Sequence, residues 1–249
     1  MLDGQELKVF YNFVIPYQHI TEFMNNAISV LKEKLSLSNC PKRQDDFFDY
    51  FREIANLLMN KCVISKGEVK YEIVEIEFYL FTPSHQDLIT YPRDTKAGQW
   101  FFHQSGVDLT FESDNEHFGG ILIRGLRDIE TRQLTLGPQK CVDLLWNKFN
   151  AFDCNASEYP IISSDVIVMD VEPSATYRYI RISKGKTKAD KIKEWSDRLN
   201  VNCVALNTTE EVRANLVYDS NYRFFKMGAI DQNDEAWKKY AAKPARLTT

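Results

Sequence analysis

The segment Val74-Glu75-Ile76-Glu77-Phe78-Tyr79-Leu80 alternates in polarity, and in an extended chain every second side chain points to the same side. Glu75, Glu77 and Tyr79 therefore share one face, while Val74, Ile76, Phe78 and Leu80 share the other. Two acids and a phenol on one side can move protons or hold a polar ligand. The plainer reading of the same alternation is a half-buried strand with its polar side in water. A second segment bears on the choice. Gly119-Gly120-Ile121-Leu122-Ile123-Arg124-Gly125-Leu126 is almost continuously apolar and carries one Arg. A cation in such a run needs a partner, because burying it alone is costly. Glu77 is the candidate partner for Arg124.

These residues need elements to hold them. From Tyr17 to Leu37, residues Ile20, Phe23, Met24, Ala27, Ile28, Leu31 and Leu35 recur at spacings of three and four, the stripe of an amphipathic helix. Phe47, Phe48, Phe51, Ile54, Leu57 and Leu58 predict a second helix over Asp45 to Asn60, with Asp45 and Asp46 at its N-terminal end. The middle of the chain changes character. Lys70 to Phe81, Gln99 to His103, Val107 to Phe111 and Gly119 to Leu126 are short Val-, Ile-, Phe- and Tyr-rich runs separated by Gly, Pro, Asp and Asn, which predicts strands. Gly137-Pro138 then opens another helical run through Phe149. Further strands are expected at Ser164 to Asp170, Tyr177 to Ser183 and Asn221 to Met227. The class is α+β. No repeat or long linker divides the chain, so one domain is expected, with residues 1–60 as a helical segment packed on an α+β core of residues 61–249.

The 249 residues are 44% hydrophobic and 13% aromatic, enough for a substantial core and against wholesale disorder. The formal charge of −4 argues against a broadly positive nucleic-acid-binding surface. Its distribution is uneven, with 14 Lys/Arg against 9 Asp/Glu from residue 181 onward, so a local basic face is compatible with it. No apolar stretch is long enough to span a membrane, and the first residues lack a secretory pattern, so the expected location is intracellular, cytoplasmic or nuclear. Two Asn-x-Ser/Thr sequons, at Asn155 and Asn207, carry little weight in that setting. Cys40, Cys62, Cys141, Cys154 and Cys203 are widely spaced, without CxxC or a nearby His at ligand spacing. They read as reduced, packed thiols without metal-ligand spacing.

The order of the motifs resembles the alkyladenine (3-methyladenine) DNA glycosylases, a monofunctional base-excision repair family. The marks are Glu75-Ile76-Glu77-Phe78-Tyr79-Leu80; Gly98-Gln99-Trp100-Phe101-Phe102 through Gly106; Ile121-Leu122-Ile123-Arg124-Gly125-Leu126-Arg127-Asp128; and Gly137-Pro138-Gln139-Lys140. Looser marks are Arg181-Ile182-Ser183-Lys184 and Tyr222-Arg223-Phe224. The resemblance spans roughly residues 60 to 227 and is best defined from Glu75 to Lys140. It implies a curved, mainly antiparallel sheet flanked by helices. It also implies hydrolysis, without a metal or organic cofactor, of the N-glycosidic bond of a damaged or modified purine rotated out of DNA. In that scheme Glu77 activates water and Arg124 fixes the carboxylate, the water or a flanking phosphate. Tyr79 stacks on the base, with Phe102 as the opposite wall. Tyr91 and His103 join them as base- or ligand-binding residues, and Lys140, Arg181, Lys184 and Lys186 as phosphate-binding ones.

The chain also departs from that pattern. The region of the family's base-contacting His offers His85 and Tyr91 without a clean register. Ser105 stands where the family has a wedge Tyr, and Asp108 and Glu112 are nearest to its Asn. Ser105 is too small to fill a base-stack gap, and exposed acids repel phosphate. Residues 181–193 hold six basic residues against one acid, either a phosphate-binding loop or a solvated loop leading into a helix that ends near Trp195. Alternatives to DNA repair are therefore a non-catalytic nucleotide or small-ligand binding protein on the same scaffold and a hydrolase of free nucleosides or nucleotides.

Overall fold

The computed structural model describes residues 8–10, 13–15, 27–147, 158–164, 168, 170–178, 185–201 and 220–226. The N-terminal segment is not wholly helical: β1 (Lys8–Phe10) and β2 (Phe13–Ile15) form an antiparallel pair. Helix α1 occupies 27–34. Helix α2 (Phe47–Asn60) buries Phe47, Tyr50, Phe51, Ile54, Ala55, Leu58 and Met59, the three-and-four spacing that one helix face requires. A 3-10 turn over Gln44–Asp46 precedes it, so the two aspartates lie just ahead of the helix where its dipole favours negative charge.

The sheet is antiparallel in every pairing. Its main path runs β10 (Ile161–Ser163), β3 (Val63–Lys66), β4 (Val69–Thr82), β8 (Phe118–Asp128), β7 (Gly106–Thr110) and β6 (Trp100–His103). A two-residue turn joins β3 to β4, and Gly67 takes φ +56° there, as a tight hairpin requires. Fourteen-residue β4 is the spine. One side pairs with β8, while the other serves β3, then β12 (Arg223–Phe225), then β5 (His85–Gln86). Short β9 (Leu134–Leu136) adds to β8, and β11 (Ser174–Thr176) adds to β12.

The sheet curls into a half-barrel flanked by helices. β10 and β6 stand at opposite ends of the path, yet the Trp100 indole N–H donates to the Pro160 carbonyl at 2.8 Å. One face is the apolar core. Ile73, Ile76, Phe78 and Leu80 of β4 meet Val107, Leu109, Ile121 and Ile123, the stripe of α2, and Cys141 and Leu145 of α3 (Pro138–Leu145). Phe51 stacks on Phe78 with ring centroids 4.6 Å apart.

The register of β4 against β8 slips around Val74. This bulge corrects the simple alternation. Ile73 and Ile76 both reach the core, while Val74 packs with Leu136 in a separate apolar cluster. An extra residue in one strand shifts side-chain phase by one, so Glu72 joins Glu75, Glu77 and Tyr79 on the face away from the core.

Elsewhere the elements differ from expectation at their ends. Helix α4 (Lys188–Val201) continues past Trp195, which docks with Leu199 against Phe81, Leu88 and Phe118. β10 and β11 were not expected, and the strands expected at Ser164 to Asp170 and Tyr177 to Ser183 lie largely outside the described residues. Among the described residues no helix is long and apolar enough to cross a membrane.

Candidate functional site

The second face of the sheet carries charges that are almost wholly buried. Glu75 and Glu77 have no exposed side-chain surface, and Arg124 reaches both from β8: Nε to Glu75 Oε1 at 3.0 Å and Nη1 to Glu77 Oε2 at 2.5 Å. Arg223 adds its Nε to Glu75 Oε1 at 2.5 Å from β12. One step along β4, Glu72 holds Arg127 and the Lys226 ammonium, the latter at 2.7 Å. Antiparallel pairing of β4 with β8 and β12 thus lays acids and bases from three strands side by side. Burial of ions is tolerated where each is paired, and each of these carboxylates faces at least one cation.

Tyr79 follows Glu77 on this face and keeps part of its surface accessible. Burial of the remainder, reinforced by the Glu77 carboxylate, holds its phenol well above the ordinary range. Opposite Tyr79 on β8 is Gly120, where a Cβ would lie 2.7 Å from Arg93 Nη1 and 2.6 Å from Asp108 Cβ. The glycine leaves the room in which Arg93 meets Asp108 at 2.7 Å. The second Asp108 oxygen accepts from His103 Nε2 at 3.0 Å, while the Ser105 N–H donates to His103 Nδ1 at 3.2 Å. Those two bonds place the ring proton on Nε2. Tyr91 lies 5.7 Å from the His103 ring, and Phe101 stacks at 6.2 Å. Arg93 lies over Phe101 and Arg198 over Tyr91, at 4.2 and 4.4 Å from the ring centroids.

The structure therefore gathers Glu77, Arg124 and Tyr79, and joins Tyr91 and His103 through Asp108 and Arg93 beside Gly120. Phe102 does not belong with them. It alternates with Phe101 on β6, packs edge-on to Trp146 at 4.8 Å and is 52% exposed. Because side chains alternate along a strand, Phe101 takes the inward position expected of Phe102. Lys140 is exposed in the first turn of α3. Lys186 is ion-paired with Glu194 at 2.9 Å, while Arg181 and Lys184 lie outside the described residues. Glu112 accepts the Leu37 N–H at 2.9 Å, and Asp108 is neutralised by Arg93, so neither acid stands as a bare charge.

His85 is structural in its surroundings. It stacks on Phe47 at 4.2 Å, donates from Nδ1 to the Leu80 carbonyl and accepts from the Tyr222 hydroxyl. Burial pushes it down to about 4. Cys40, Cys62 and Cys141 are buried free thiols, pushed up to about 11, 12 and 12 by burial, an environment that suppresses the reactive thiolate. Cys154 and Cys203 lie outside the described residues. Among the described residues no group of three or more His, Cys, Asp or Glu is placed to hold a metal.

Residues that the sequence reading passed over are Glu75 as a second partner of Arg124, Arg93, Phe101, and the buried pair Asp87–Arg178. The Gly119-Gly120 doublet was their one local signal, since glycine in a strand marks a close approach. Arg93 and Arg178 come from irregular segments whose spacing shows no face.

No protein family's sequence model matches the chain, and no solved structure matches it. A 126-residue alignment is 29% identical to the uncharacterized protein L759 of Acanthamoeba polyphaga mimivirus. It takes in 41% of this chain and 58% of that protein, so the chain spans less than two thirds of its relative's length.

Proposed function

We propose that the face built by Glu77, Tyr79 and Arg124 takes a purine-type base, nucleoside or nucleotide, and that Glu77 acts there as the base that activates water for N-glycosidic hydrolysis. The observation that carries this reading is the Glu77 carboxylate. It is wholly buried and ion-paired with Arg124 at 2.5 Å, while among the described residues neither of its oxygens has a hydrogen-bond partner. An oriented carboxylate with a free acceptor atom suits a group that receives a proton from water, and Tyr79 on the same face offers a ring for stacking. Damaged or modified DNA is the substrate suggested by the glycosylase-like motifs. The ion-paired state of Lys186 and the formal charge of −4 lend support to a free nucleoside or nucleotide instead.

A second reading, a non-catalytic binding protein for the same ligands, is favoured by the complete burial of Glu77, because a base must be reached by its water. Base release from duplexes carrying hypoxanthine, 1,N6-ethenoadenine or 3-methyladenine, compared with release from the free nucleosides and nucleotides, tests all three. Release that depends on Glu77 supports hydrolysis, and the better substrate identifies its class. Binding without release supports the second reading. Neither binding nor release refutes both.

A further inference from the structure

Arg178 is wholly buried and comes from the segment just after β11. Its guanidinium grips Asp87 with two nitrogens, Nη1 to Oδ2 at 2.6 Å and Nη2 to Oδ1 at 3.1 Å. Burial works against its charge, but the Asp87 carboxylate outweighs that and keeps it firmly protonated. Nη1 also donates to the Phe78 carbonyl at 3.0 Å, and the Leu80 N–H points to Asp87 Oδ2 at 3.4 Å. The pair is thus fastened to the main chain immediately before and immediately after Tyr79. Arg178 Cζ lies 5.0 Å from the centroid of the Tyr79 ring and 5.4 Å from that of Tyr222.

A planar cation that lies over an aromatic ring uses one face of it and fixes its tilt. Arg178 is buried whereas Tyr79 keeps accessible surface, so a ligand that stacks on Tyr79 must meet the ring on the side that Arg178 does not cover. We propose that Asp87 and Arg178 are positioning residues that lock the Tyr79 ring as a preformed stacking wall for a planar heteroaromatic ligand. This rests on the binding reading above. It assigns a purpose to an ion pair that touches neither Glu77 nor Arg124 by hydrogen bond, and it places the recognition of a flat ring, rather than of a phosphate, at this end of the face. Preorganising the wall lowers the ordering cost of binding.

The test uses the full chain with inosine 5′-monophosphate as the aromatic probe and ribose 5-phosphate as the ring-free control. Arg178→Lys keeps the charge and one bond to Asp87 but removes the flat face. Asp87→Asn is the second variant, used if Arg178→Lys fails to fold. Calorimetric titration is expected to show Tyr79→Leu and Arg178→Lys each weakening the nucleotide about tenfold. The double variant is expected to fall within about twofold of Tyr79→Leu, and the response to ribose 5-phosphate to stay unchanged. Ring flipping of a site-specifically 13C-labelled Tyr79, followed by NMR without ligand, is expected to speed up in Arg178→Lys or Asp87→Asn. Losses that add in full, or a flip rate equal to that of the unsubstituted chain, overturn the proposal. If the unsubstituted chain binds no nucleotide, the binding reading fails by itself, and the flip rate still decides whether the pair locks the ring.

Discussion

The two faces of β4 are both largely buried and chemically opposite. On one, Ile73, Ile76, Phe78 and Leu80 pack against α2; on the other, Glu72, Glu75 and Glu77 meet arginines and a lysine from β8, β12 and the chain just beyond β12. The apolar face accounts for folding without special assumptions, since each large side chain removed from water contributes about 1.5–3 kcal/mol. The ionic face has no such surplus. Desolvating each ion costs several kcal/mol, and pairing roughly recovers it. A fold that needed only stability would have carried leucines there, so the ionic face is where function is sought.

Breaking either face by one residue is expected to be severe. Arg124→Ala strands the wholly buried Glu77 carboxylate and should cost about 3–5 kcal/mol. Phe51→Ala empties the stack on Phe78 and should cost about the same. Urea unfolding measures both. The faces separate when both partners are replaced together. Glu77→Leu with Arg124→Leu should recover most of the loss, whereas Phe51→Ala with Phe78→Ala should deepen it. An equally deep loss in both doubles would erase the distinction between the faces.

His85, at the edge of the aromatic core, supplies a pH-dependent test. Its ordinary value of 6.5 falls to about 4 on folding because burial disfavours the charged ring. The folded state therefore favours the neutral form. Its contribution, about 3 kcal/mol, is fully present above pH 6.5 and is lost as pH falls from 6.5 to 4, where the unfolded chain takes up the proton first. His85→Gln should flatten the stability curve across that window, and parallel curves for the two proteins would place the titration elsewhere.

Smaller effects sharpen the same contrast. Gly120→Ala forces a methyl against Asp108 and Arg93 and should cost about 1–3 kcal/mol in a thermal melt. Lys193→Ala, on the exposed side of α4 where its partner is Asp197, should leave the melting temperature unchanged.

Much of the architecture was legible in the sequence. The three-residue and four-residue spacing of α2, the run of β8 and the Gly-Pro start of α3 are local signals, and each element began close to where its period placed it, although α3 ends at Leu145, short of the expected Phe149. The Glu77–Arg124 contact was legible too, because a single cation in an apolar strand has few places to go. The bulge at Val74 was not. A one-residue phase slip depends on how β4 meets β8, and it carried Val74 away from the core and Glu72 into the ionic face. Phe101 and Phe102 were exchanged for a similar reason, since two adjacent aromatics give no hint of which one faces inward. Arg93 and Arg178 reach their acids from irregular segments, and only tertiary structure brings them there.

The most direct test of Glu77 as the base is base release by the unsubstituted chain and by Glu77→Gln, which keeps the shape of the side chain and removes its charge. Release by the unsubstituted chain that disappears in a folded Glu77→Gln protein is the expected result. Equal release by both proteins, or none from either on any duplex, nucleoside or nucleotide, would contradict it.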